Sequence, residues 1–157
     1  MDAFEIAGLP LHPLIVHALV VLLPLTALAL VLGTFIPSVR RRLGIATPVA
    51  ALVVLALTPI TVAAGEALLT TVGPLPGVEE HAALGRMLLP WAIALFVVSA
   101  AQWGWYRFRP RPEEGKPRSR SDAIVTGLLA VLAVAAATGS TTMVVRIGEA
   151  GARAVWG

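Results

Sequence analysis

The sequence predicts an all-α fold: an integral membrane four-helix bundle with both termini extracytoplasmic. Three observations lead there. The 157-residue chain is 57% hydrophobic and only 13% charged, whereas soluble domains average about 25% charged residues. Its apolar residues gather in four spans, each near the ~20 residues that cross ~30 Å of hydrocarbon. Of its twelve Lys and Arg, nine follow spans one and three: Arg40, Arg41 and Arg42, then Arg107, Arg109, Arg111, Lys116, Arg118 and Arg120. The positive-inside rule puts both basic loops in the cytoplasm. Nothing is left over for a soluble domain, so residues 1–157 form one membrane domain.

The first helix is expected over 13–36. It follows an acidic start, MDAFEIAG, which lacks the basic region of a secretory signal. The span opens Leu11-His12-Pro13, with Pro13 suited to a first helical turn. The second helix is expected over 47–70, and its apolar run ends at Gly65-Glu66. Pro24 and Pro59 each remove one backbone bond inside these spans and bend them. The third, 79–106, begins with Glu79 and Glu80, acids that favour the positive end of the helix dipole. It closes on Trp103, Trp105 and Tyr106, an aromatic belt at the membrane boundary. The fourth, 122–154, is the small-residue helix. Ala133 and Ala137, and Ala135 and Gly139, recur four apart and admit a close neighbour, within the chain or in a homo-oligomer. Beyond them Thr142, Arg146, Glu149 and Arg153 share one face.

Backbone groups must pair within lipid, and period-two alternation is absent, so the spans are helices and not barrel strands. The loop over 107–121, which from Arg109 reads RPRPEEGKPRSRS, is a flexible solvated linker. It lacks the interleaved aromatics of a nucleic-acid platform, so the net charge of +3 does not signal nucleic acid. With no cysteine, disulfides, thiolate metal sites, iron–sulfur ligation and c-type haem attachment are excluded.

The polar residues of the spans converge on one level. His17 lies about one turn inside span one, and Glu66 is roughly 29 Å along helix two from Thr47. His81 precedes span three, Arg86 follows it by five residues, and Arg146 and Glu149 end span four. All belong to the outer face. Ionisable groups at such depth mark a candidate site. His12 and His17 are about 140° apart on a helix and do not share a face, so His12 reads as an interfacial cap that converges only if it precedes the regular helix.

Three readings follow. In the first, a b-type haem is held between His17 and His81, with Arg146 or Arg86 pairing a propionate. In the second, zinc, copper or iron is bound by His17, Glu66 and His81 with His12 or Glu149. In the third, the histidines pair with Glu66 and Glu149 as a structural network, with Arg146 as counter-ion of Glu66. No nucleophile–base pair or phosphate loop indicates catalysis.

The stretches GLPLHPLIVHALVVLLP, AAGEALLTTVGPLPGVEEHAALG and IGEAGARAVWG together resemble the small bacterial membrane proteins grouped as domain of unknown function 2231. The resemblance covers nearly the whole chain. It implies four membrane helices with recurring histidines, in some relatives linked to Rieske-type iron–sulfur domains, and so a redox role. His12, His17, Glu66 and His81 match the family pattern. The closing segment departs from it: many relatives carry GHSGA, where this chain has Gly148-Glu149-Ala150-Gly151-Ala152. The expected protein is therefore a multi-pass component of the bacterial inner membrane, relaying electrons to a redox protein or supporting a respiratory complex. The alternative is a scaffold or accessory subunit whose histidines are structural.

Overall fold

The computed structural model describes residues 5–6, 9–72, 76–109 and 119–156. The expected basic loop residues Arg111, Lys116 and Arg118 lie outside these. A two-residue antiparallel ladder, β1 (Glu5–Ile6) with β2 (Leu9–Pro10), precedes the helices. Then come α1 (Leu11–Phe35), α2 (Pro37–Leu43), α3 (Ala46–Val72), α4 (Pro76–Arg86), α5 (Leu88–Phe108) and α6 (Arg120–Trp156). Four stretches are long and apolar enough to cross a membrane: Leu11–Phe35, Ala46–Thr70, Gly77–Phe108 and Arg120–Trp156.

Local chemistry sets the boundaries. Pro37 occupies the first turn of α2, where its missing N–H costs nothing. Gly44, at φ +48°, reverses the chain into α3, a conformation open to glycine. The single helix expected over 79–106 is two. Pro90 has no N–H to offer the carbonyl of Arg86, and its ring crowds that carbonyl. The ladder therefore ends at Arg86, and a tight turn from the Met87 N–H to the Leu84 carbonyl (3.0 Å) joins α4 to α5. Pro24 and Pro59, by contrast, are carried within α1 and α3.

In the bundle α1 packs on α3 and α6, and α5 packs on the same two, leaving α1 and α5 across the diagonal. Exchanging the α1–α3 hairpin for the α5–α6 hairpin leaves this scheme unchanged. The short α4 lies mainly against α6. Each of the four long helices, α1, α3, α5 and α6, turns one stripe inward. On α6 it is Leu129, Ala133, Ala136, Ala137, Ser140, Met143 and Val144, steps of three and four that follow the helical repeat.

Apolar side chains gain little by leaving lipid for a bundle interior, so close packing and hydrogen bonds hold such helices together. Both are visible. A Cβ on Gly139 would fall 1.8 Å from the Trp91 ring, so the indole of α5 lies directly on the α6 backbone. The small-residue face is thereby used within the chain, by α1 and α5. The buried hydroxyls of Thr26, Thr58 and Thr61 each donate to a carbonyl four residues back, at 2.7–2.8 Å. Among the described residues no buried side-chain N or O lacks a partner. Val21, Leu25, Leu28, Val97 and Val131 turn outward, an apolar belt suited to lipid.

Candidate functional site

Two imidazoles meet at one end of the bundle, and they are His12 and His81. Their ring centroids are 6.0 Å apart, with planes at 87°. The His12 Nδ1–H donates to the Thr61 carbonyl at 2.9 Å, joining α1 to α3. The His81 Nδ1–H donates to the Ile147 carbonyl, also at 2.9 Å, joining α4 to α6. A carbonyl only accepts, so each Nδ1 carries a proton, and in the neutral form of either ring the lone pair is on Nε2.

The two anchors are built alike. Four residues beyond each accepting carbonyl stands a glycine, Gly65 after Thr61 and Gly151 after Ile147. A Cβ on Gly65 would come within 2.9 Å of His12 Nδ1, and one on Gly151 within 3.0 Å of His81 Nδ1. Only a residue without a side chain leaves the imidazole room to reach the carbonyl of the preceding turn. Gly77 does the same for α4, since its Cβ would meet the Ala154 Cα at 2.9 Å.

Both rings line a cavity of about 380 Å³, inside the size range of small-molecule sites. Its walls are largely aliphatic, among them Val16, Leu19, Val62, Leu88 and Val144, and Glu66 stands at its edge.

The other candidates are placed as follows. His17 does not face His81. It is exposed and donates Nδ1–H to Pro13 in its own helix. The reason is that α1 begins at Leu11, so His12 belongs to the regular helix and the separation of about 140° applies in full. With His12 turned in, His17 is turned out. Glu66 pairs with Arg86 at 3.4 Å, both half-exposed, in place of the expected Arg146. Arg146 is exposed. Glu149 pairs with Arg153 at 2.8 Å, which also reaches Glu80 at 3.5 Å. This surface network ties α6 to α4 and leaves Glu149 away from the imidazoles. Among the described residues no three of His, Cys, Asp or Glu converge as a metal-binding group.

A signal for His12 was present in the chain. The inward stripe of α1 runs Leu19, Leu23, Thr26, Ala27, Leu30 and Gly33, recognisable by its small and hydroxyl members. Extended backward by helical steps it passes Val16 and reaches His12, and it misses His17.

Fold and site together describe a small all-helical protein with four membrane-crossing helices and a paired-imidazole pocket at one end. The chain matches the profile of DUF2231, described as a predicted membrane protein family, over residues 8–157, and it belongs to that family. No curated protein and no solved structure matches it.

Proposed function

We propose that this protein is a bacterial inner-membrane component that binds b-type haem between His12 and His81 and relays electrons to a redox partner or respiratory assembly. The observation that carries the reading is the pair of anchored imidazoles facing one apolar cavity. Two features support haem over a bare ion. First, a zinc, copper or non-haem iron site needs three or four protein donors, whereas a macrocycle supplies four of its own and asks the chain for two. Second, the two imidazole centroids lie 6.0 Å apart on the wall of one cavity, so a single flat group held there would meet both rings. The Nδ1–H bonds to carbonyls are the kind that orient a ligating histidine and raise its basicity. Gly85 at the cavity wall, where a Cβ would meet nothing within 4 Å, leaves space for a flat group, and Arg86 is a candidate partner for a propionate.

A second reading rests on the same bonds. Each imidazole ties two helices through a backbone carbonyl, which is what structural histidines in a scaffold subunit would do. One experiment separates the two. The protein is purified from membranes, and its visible spectrum and metal content are recorded. A Soret band abolished by His12→Ala and by His81→Ala, and retained in His17→Ala, is the expected result. Stoichiometric metal without that band would replace haem by a single ion, and a colourless metal-free sample would give the histidines to the scaffold.

A further inference from the structure

At the opposite end of the bundle a second cavity, of about 310 Å³, opens between the end of α1, α2, the start of α3 and the end of α5. Its chemistry is the reverse of the first. Four arginines border it, Arg40 and Arg41 from α2, Arg107 from the last turn of α5 and Arg109 just beyond it, and no carboxylate does among the described residues. Topogenic arginines need only face water. These are instead gathered. The Arg40 guanidinium stacks 3.6 Å from the centre of the Tyr106 ring, and Arg109 lies 4.9 Å from the same ring. Arg40 is further fixed by Nη1 bonds to the carbonyls of Gly33 (2.9 Å) and Thr34 (3.2 Å). Arg41, Arg107 and Arg109 border the same cavity, and cations gathered on the walls of one cleft attract an anion.

The floor is polar and fixed. Gln102 is buried at 5% exposure and donates Nε2–H to Thr34 Oγ1 at 2.6 Å, closing α5 onto α1. Trp103 adds an aromatic wall. The cavity lies at the ends of three membrane-crossing helices, the level of phospholipid headgroups, and exposed Ile45 and Val49 stand beside it.

We infer that this cavity binds the phosphate of an anionic phospholipid headgroup, with Arg107 and Arg109 as its main donors. Guanidinium groups fit phosphate oxygens two at a time, and basic pockets between membrane helices recognise such headgroups. A soluble phosphate compound shares the chemistry, and the test separates the two sources.

The purified protein in neutral detergent is melted while dioleoyl-phosphatidylglycerol micelles, dioleoyl-phosphatidylcholine micelles or inorganic phosphate are titrated in. Saturable stabilisation by phosphatidylglycerol alone is expected. In the double variant Arg107→Gln/Arg109→Gln half-saturation should weaken about thirtyfold, the equivalent of roughly 1 kcal/mol per arginine near a headgroup. Arg42→Gln/Arg120→Gln, which removes two charges from the same end but outside the cavity, should leave it unchanged. If the first double variant does not fold, Arg41→Gln alone should weaken binding about fivefold. Equal stabilisation by phosphatidylcholine, or an undiminished effect in the cavity variants, would overturn the site. Inorganic phosphate reproducing the whole effect would overturn the lipid and assign a soluble phosphate compound.

Discussion

The two halves of the bundle solve one problem with different chain. In the first, His12 belongs to the spanning helix itself and leans on α3 through the Thr61 carbonyl beside Gly65. In the second, His81 rides on α4, split from its spanning helix ahead of Pro90, and leans on α6 through the Ile147 carbonyl beside Gly151. The anchors share an acceptor, a spacing and a glycine. The sequences around them share almost nothing. What repeats is a relation between an imidazole and a helix turn, and that relation fixes only two residue types per half. The second half, with its detached α4, depends on one more close contact than the first.

Filling the two seats tests the equivalence most severely. Gly65→Leu and Gly151→Leu should each expel an imidazole and destabilise the bundle by about 2–3 kcal/mol, the usual cost of overpacking. Thermal unfolding followed by circular dichroism in detergent measures it, and any haem absorbance should fall with both. A loss confined to one variant would break the equivalence. Gly77→Ala comes next. It presses a methyl against the Ala154 backbone and should cost about 1–2 kcal/mol, by lifting α4 and His81 while leaving the His12 anchor in place. An equal disturbance of both histidines, read from ring proton shifts, would show that the halves do not move independently.

Smaller effects sharpen the same contrast. The pairs Glu66–Arg86 and Glu80–Arg153 brace α4 from its two neighbours, and all four side chains are more than half exposed. Double-mutant cycles to Gln should give couplings below about 1 kcal/mol for each, and a much larger value would mark a pair as part of the site. Least of all should come from His17→Ala, within about 0.5 kcal/mol of the parent in stability and unchanged in any haem spectrum. Loss of the spectrum there, with His12→Ala silent, would reverse the roles given to the two histidines of α1.

Much of the fold was legible in the chain because lipid imposes it. The four spans, the basic ends after spans one and three, and the packing role of helix four follow from hydropathy and small-residue spacing. The α4–α5 break was also written, in Pro90, but a continuous apolar reading across Leu88 and Leu89 masked it. The site was half legible. Polar residues gather at the end where the structure brings His12 and His81 together, yet the sequence favours His17, which lies inside the expected span, over His12, which a helix starting at Pro13 leaves outside it. Once the helix begins at Leu11, helical phase alone turns the two rings apart. The partner of Glu66 was missed for a different reason. Arg86 reaches it only because α4, packed mainly on α6, also touches α3, and no helical period encodes that contact.

The last helix is continuous from Arg120 to Trp156, 37 residues, a rod of about 55 Å where the hydrocarbon layer needs about 30 Å. A spanning rod meets a thicker or thinner bilayer by changing its tilt. The height of Gly151 above Leu129 is therefore set by the helix's own pitch, and the imidazole pocket would travel through membranes of unequal thickness with its dimensions intact.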